Sequence, residues 1–226
     1  IARELFRERC LRFYPVPMVS SGMALEGIPS VVLDNSKGMY DAVCHLITEH
    51  QYTRIAFLSG SREHADTIER FTAFIRAMEE HGLPLDESLF LQGDYRHQSG
   101  FSAVKELLDN RGKKPGRDVQ AIVCCNDYMA AGAMLELQSR GIRIPGEIAL
   151  TGFDNSIISR YLTPTISTVN QPFEIMTAKA MELLIMLMEG NSVPDIVSVD
   201  SQFLPRTSCG CPDMTIRDNG HSIPED

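Results

Sequence analysis

The stretch Ala121–Met134, AIVCCNDYMAAGAM, decides how this chain is read. Ala121 to Cys125 is an apolar run of strand length that stops at two polar residues, Asn126 and Asp127, before a helix of small residues begins. In an open α/β sheet, ligands gather outside the carboxyl ends of the strands, so hydrogen-bonding side chains placed there face a crevice. The same step occurs twice more: SVVLDN ends at Asp34 and Asn35, and EIALTGFDN ends at Asp154 and Asn155. Three strand ends that finish in an acid or an amide point to a cleft for a small molecule.

Working outward from that stretch, the pattern is regular. RIAFLSG, LFLQGD, VQAIVCC and EIALTGF read as strands, with amphipathic helices near Thr67 to His81, Gln98 to Asp109 and Tyr128 to Arg140 between them. Strands alternating with such helices imply a mostly parallel sheet flanked by helices, an α/β fold. Upstream, PMVSSG and IPSVVLDN read as short strands, followed by a helix through Tyr40 to His50 whose apolar face is Met39, Val43, Leu46 and Ile47. The opening IARELFRERCLRF suits a helix. Downstream, Ser156 to Pro164 has no clean period, ISTVNQ is a short strand, and Phe173 to Met188 is a strongly apolar helix carrying Met176, Met181, Met186 and Met188. IVSVDSQFLP alternates like one further strand, and the polar stretch from Arg206 to Asp226 reads as a loose tail.

Composition narrows the function classes. The 226 residues, 43% of them apolar and 23% charged, suffice for one large domain or two lobes with a real core. A net charge of -9 argues against this segment itself gripping nucleic acid, so a DNA-binding module is expected outside it. No apolar run approaches the roughly 20 residues that span a bilayer, and no leader sequence is visible, which makes the cytoplasm the default location. The sequence contains no GxSxG, HExxH, P-loop or GxGxxG motif, so an enzyme is not expected. Carboxylates spread over three strand ends suit hydrogen bonding to a polyol better than acid-base chemistry.

Neither a cofactor nor a metal is expected. Six cysteines, Cys10, Cys44, Cys124, Cys125, Cys209 and Cys211, lack the spacing of a disulfide framework, and Cys124 and Cys125 read as small buried hydrophobes. Cys209 and Cys211 form a CxC pair whose only nearby partner in sequence is His221, and the six histidines show no ligand spacing.

Six blocks in order, LDN at Leu33–Asn35, ERFTAF at Glu69–Phe74, GDY at Gly93–Tyr95, CNDYMAAGAM at Cys125–Met134, GFDN at Gly152–Asn155 and STVNQPF at Ser167–Phe173, carry a resemblance. The chain resembles the effector-binding core of the lactose-repressor/galactose-repressor (LacI/GalR) family of transcription regulators over roughly Pro17 to Pro205. The resemblance implies a periplasmic-binding-protein-like type I fold, with two α/β lobes and a small polar effector, first of all a sugar, between them. It implies a first lobe from residues 1–35 and 169–192 that lacks its usual opening, as if trimmed, a second from 36–168 and 193–206, and a tail or linker over 207–226. Ligand contacts are implied for Asp34, Arg70, Tyr95, Asn126, Asp154, Gln171 and Phe173. Arg70 would offer its planar fork to hydroxyls or a carboxylate, the acids and Asn126 would bond hydroxyls, Tyr95 and Phe173 would form aromatic walls, and Gln171 would close the rim. Closure near Asn35, Thr168 and Val193 would then respace a homodimer and its DNA-reading heads.

Blander readings stand beside these roles. Asp154 and Asn155 suit an Asx-turn, Asn126 and Asp127 suit a helix N-cap, and Arg70 suits a solvated partner of Glu69 or Asp66. Ala73 and Asn155 depart from the family, which frequently has glycine and a second acid there. The ending TSCGCP also resembles sensor domains that continue into a diguanylate cyclase, a histidine kinase or an arabinose-regulator-type DNA-binding module. A periplasmic solute-binding protein is the remaining alternative.

Overall fold

In a computed structural model, residues Glu4, Leu5, Glu8, Arg9, Arg12, Phe13 and 16–212 are described; most of the expected opening helix and the end of the expected tail lie outside them. The chain divides into two compact units, residues 1–34 with 171–201, and residues 35–170 with 202–226.

The first unit holds a parallel sheet of three strands in the order β1 (Ser20–Ser21), β2 (Ser30–Asp34) and β8 (Ile196–Asp200). Val31 pairs with Val197 and Asp34 with Asp200. Helix α6 (Phe173–Met188) packs on β1 and β2, burying Met176 and Leu183. The rest of its apolar surface behaves differently: Phe173, Ile175, Met181, Ile185 and Met188 are exposed.

The second unit carries the larger sheet, parallel throughout, in the order β4 (Phe90–Gln92), β3 (Ile55–Ser59), β5 (Ala121–Cys124) and β6 (Ala149–Thr151). Every residue of β5 is buried, as its unbroken apolar run requires of a strand covered on both faces. Helices α1 (Asn35–Thr48), α2 (Ala65–Glu80), α3 (His97–Lys105) and α4 (Asp127–Ser139) flank the sheet. Phe57 of β3 is fully buried, with Phe71 and Phe74 of α2 within 5.2 Å and 4.9 Å of its ring. Removing such a ring typically costs about 3–5 kcal/mol.

The AAGAM run explains how α3 and α4 pack. A Cβ added to Gly132 would lie 1.8 Å from the backbone oxygen of His97, and one on Gly100 would lie 1.9 Å from that of Met129. The two helices are in backbone contact, and only glycine permits it at these positions. Beyond β6, Gly152 and Asp154 donate backbone hydrogen bonds to Ser167 and Val169, aligning the strand end with β7 (Thr168–Asn170). Between them lies a short helix, α5 (Ile157–Tyr161), where the sequence shows no period.

Two sequence expectations are corrected at the end of the chain. IVSVDSQFLP is two strands, because Ser201 ends β8 and β9 (Gln202–Leu204) then pairs antiparallel with β7 in the other unit. Residues 193–201 therefore belong with the first unit's sheet, although an alternating pattern cannot tell which sheet a strand joins. Nor are the described residues at the start of the expected tail, 206–212, loose: Arg206, Ser208 and Cys209 are buried, the last two in a 3₁₀ turn over Thr207–Cys209. Ser208 Oγ donates to the Leu150 oxygen of β6, and Ser167 Nα–H donates to Ser208 Oγ, which ties the turn to the sheet.

Candidate functional site

At the carboxyl end of the second unit's sheet, polar groups from α2, β4, β5 and β6 meet. Arg70, on α2, is only 3% exposed. Its Nε donates to Asn35 Oδ1 at 2.9 Å, its Nη1 donates to the Cys125 oxygen at 2.6 Å, and its guanidinium lies 3.6 Å from the centre of the Phe153 ring. Asn35 is itself held by donating to Glu69 Oε2 at 3.1 Å. Two carboxylates stand further off: Asp154 Oδ1 is 3.8 Å from Nη1, and Asp66 Oδ2 is 3.9 Å from Nη2. These are ion-pair distances, too long for direct hydrogen bonds.

Asn126 follows β5 and acts as the N-cap of α4, its Oδ1 accepting from Met129 N at 2.9 Å. Its Nδ2 donates to the Tyr95 oxygen at 2.9 Å, so the same side chain fixes the loop after β4. Tyr95 is half-buried, its hydroxyl 2.5 Å from Thr67 Oγ1 and its ring edge-on to His64. Burial pushes its pKa up despite the Thr67 bond, so the phenol stays neutral.

The backbone here is strained. Among the described residues other than glycine, positive φ occurs at Gln51, Tyr95, Asp154 and Asn155, and three of those four lie in this cluster. Asp154, at φ 107°, lies well outside the ordinary left-handed region, a conformation that persists only where the surroundings impose it. The surroundings are identifiable. Arg206, fully buried, donates from Nη2 to Asn155 Oδ1 at 2.6 Å and from Nη1 to Ser159 Oγ and the Ile166 oxygen, both at 2.9 Å. Asn155 Nδ2 donates to Asn170 Oδ1 at 2.8 Å.

On the other side of the turn, Asp127 is fully buried and accepts from Ser156 N at 2.6 Å, Ser156 Oγ at 2.9 Å and Thr168 Oγ1 at 2.6 Å. Burial raises its pKa to about 7, outweighing the bonds from Thr168 and Ser156 that favour the carboxylate.

The structure thus brings Arg70, Tyr95, Asn126 and Asp154 into one connected cluster, with Asn35, Asp66, Thr67, Arg206 and Asp127 supporting them. Asp34 ends β2 and Gln171 and Phe173 open the approach to α6, all in the first unit. Phe173 is 60% exposed. Asn35 and Asp127 stood out in the sequence only as polar strand-end residues without an assigned role in the site, and Arg206 not at all. Asn35 and Asp127 resemble ordinary helix-start residues, and Arg206 follows a proline in a polar stretch. The one sequence signal was Asn155 standing where the family often has a second acid; its pairing with Arg206 is seen only in the fold.

One group among the described residues could hold a metal: the ligand atoms of His45, His50, Cys209 and Cys211 all lie within 4.8 Å of one another. The histidine spacing that sequence lacks is supplied by folding, and His221, the partner expected for the CxC pair, lies outside the described residues.

Comparison with known proteins gives a consistent picture. Residues 43–209 match the family described as periplasmic binding protein-like domain. The chain is 36% identical over 176 residues to the HTH-type transcriptional regulator GalR of Escherichia coli K12, covering 78% of this chain and 50% of GalR. It is 36% identical over 186 residues to catabolite control protein A of Priestia megaterium, covering 81% of this chain and 54% of that protein. Among solved structures, a sugar-binding LacI-family transcriptional regulator from Escherichia coli complexed with phosphate superposes with TM-score 0.78 at 28% identity, over 91% of this chain and 72% of that one. The chain spans about half the length of the curated relatives it matches.

Proposed function

Since the chain belongs to the periplasmic binding protein-like family, as an effector-binding domain of the LacI/GalR type, we propose that it senses a small polar metabolite, first of all a sugar, through the Arg70 cluster. The observation that carries this is the state of Arg70. A buried guanidinium is bonded to protein through Nε and Nη1, while two carboxylates wait at 3.8 and 3.9 Å. A ligand hydroxyl bridging Nη2 and Asp66 would replace a 3.9 Å ion-pair contact by two hydrogen bonds, and Asp154, 3.8 Å from Nη1, would accept from a second hydroxyl. Tyr95, its backbone fixed by Asn126, contributes an aromatic flank. For Asp34, Gln171 and Phe173 a ligand-binding role rests on the family resemblance alone.

GalR and the superposed LacI-family structure are named as transcriptional regulators, and neither is named as an enzyme. The signal is accordingly proposed to reach DNA through a separate module in a cytoplasmic homodimer, in keeping with the acidic charge of this segment. The apolar residues that α6 leaves exposed are a candidate part of the dimer surface. No helix among the described residues is long and apolar enough to cross a membrane. A cyclase or kinase output is not favoured by these relatives.

Calorimetry of the full-length protein against mono- and disaccharides, nucleosides and inorganic phosphate tests the reading. A sugar that binds the wild type and binds Asp154→Asn more weakly supports it. Binding that neither Asp154→Asn nor Asp66→Asn alters would refute it, and sedimentation velocity reports the oligomer independently.

A further inference from the structure

We propose that His45, His50, Cys209 and Cys211 form a closed four-coordinate site for Zn²⁺, independent of the Arg70 cluster. His45 lies in the last turn of α1 and His50 two residues beyond that helix. Cys209 ends the 3₁₀ turn, and Cys211 follows Gly210, whose φ of 109° turns both thiols to the same side. Any side chain at 210 would be strained there, and its Cβ would stand 3.2 Å from His50 Cε1.

Four of the ligand–ligand distances can be set against those of a zinc tetrahedron. Zinc bonds of about 2.3 Å to sulfur and about 2.05 Å to nitrogen, arranged tetrahedrally, require edges of about 3.4 Å for N···N and about 3.5 Å for N···S. The structure gives 3.2 Å between the two Nε2 atoms, 3.3 and 3.8 Å from His45 Nε2 to Cys211 and Cys209 Sγ, and 3.4 Å from His50 Nε2 to Cys211 Sγ. Each lies within about 0.3 Å of its tetrahedral edge. A cation satisfies all four ligand atoms at once.

Ligand type selects the ion. Two thiolates with two imidazoles in tetrahedral array suit zinc, and four protein ligands leave no open position, which marks the site as structural. On binding, each thiol releases its proton to solvent, both imidazoles coordinate through Nε2 with the proton on Nδ1, and the charge of the two thiolates cancels that of the ion. That neutrality suits a place where Cys209 is buried and the other three are half-buried. The rings are also positioned by packing, His50 stacked on Tyr52 and His45 against Phe203 of β9. Loading would clamp the Arg206–Cys211 segment to the end of α1.

The test uses the full-length protein, untagged and purified under reducing, chelator-free conditions. Elemental analysis is expected to find about one zinc per chain. The Co²⁺-exchanged protein should show the intense visible bands of a tetrahedral site with a thiolate-to-cobalt charge-transfer band. X-ray absorption at the zinc edge should give two sulfur and two nitrogen neighbours. Cys211→Ser and His50→Ala should lose most of the metal, while Cys44→Ser keeps it. The inference is overturned by folded wild type that takes up neither zinc nor cobalt, by a metal shell without sulfur, by a Cys209–Cys211 disulfide persisting under reduction, or by full metal content in Cys211→Ser. The wild-type spectra decide the matter even if a variant fails to fold, and loss of sugar binding plays no part in them.

Discussion

Two buried arginines in the same unit behave in opposite ways. Arg70 and Arg206 are both at most 3% exposed, and each donates through more than one nitrogen. Arg206 meets neutral acceptors at 2.6–2.9 Å: an amide oxygen, a serine hydroxyl and a backbone carbonyl. Arg70 meets an amide and a carbonyl on one side, and on the other two carboxylates at 3.8 and 3.9 Å, beyond hydrogen-bond range. A guanidinium whose two terminal nitrogens are both held at short range by protein acceptors fixes a shape, whereas one left facing distant counter-charges is poised for something to come between.

The largest effect is expected from Arg206→Met. It strands the oxygens of Asn155, Ser159 and Ile166 in a dry interior and should lower stability by roughly 3–5 kcal/mol in denaturant unfolding. Loss of under about 1 kcal/mol would erase the distinction between the arginines, because Arg206 would then be as dispensable as a surface residue.

Asp127 holds the other flank of the turn that Arg206 braces, and it adds a pH signature. Its pKa is about 7 when folded and about 3.9 when unfolded, so between those values the folded state carries the extra proton. Stability from this group is therefore full below about pH 4, falls as pH rises towards 7, and is flat above that. Asn at this position imitates the protonated acid, donating to Thr168 and accepting from Ser156. Asp127→Asn should match the wild type near pH 4 and exceed it above pH 7, by an upper limit of about 4 kcal/mol. A wild-type-minus-variant difference that is constant across pH 4–8 would place the titration elsewhere.

Arg70→Lys keeps the charge and should cost less stability than Arg206→Met, yet weaken sugar binding by about 10–100-fold, since a point charge cannot span the Asp66 and Asp154 sides as a fork does. Isothermal titration at fixed pH reads this directly. A destabilisation as large as that of Arg206→Met with unaltered affinity would reverse the two roles.

What was legible in the sequence divides along the same line. Strand–helix alternation and polar strand ends are local signals, and they marked the second unit's sheet with Asn126 and Asp154 at its strand ends, whereas Arg70 and Tyr95 were pointed to only by the resemblance of their sequence blocks to a family. Arg206 and the Cys209–His45 cluster depend on contacts spanning up to 166 residues, and nothing in their local sequence announces a buried partner. The break at Ser201 was hidden for a related reason: alternation in IVSVDSQFLP is satisfied equally by one strand or by two strands in different sheets. Phe173 to Met188 shows the converse, since it was readable as an apolar helix while its composition could not say which apolar residues are covered: Met176 and Leu183 are buried, and Met181, Ile185 and Met188 are not.

The smallest expected effect, and the finest test, concerns Asn155, where the family often has an acid. Asn155→Asp would keep an acceptor for Arg206 and strengthen it to a charge-assisted bond, but would lose the Nδ2 donor to Asn170 and set a second carboxylate beside Asp154. These changes oppose each other, so stability should move by no more than about 1 kcal/mol. Affinity should respond more than stability does, because a carboxylate next to Asp154 changes the charge that an approaching ligand meets while the turn remains held by Arg206. If instead Asn155→Asp unfolds the protein as readily as Arg206→Met, the amide is there for the integrity of the strained turn and not for ligand choice. Measuring the melting midpoint and the sugar affinity of this one variant separates the two.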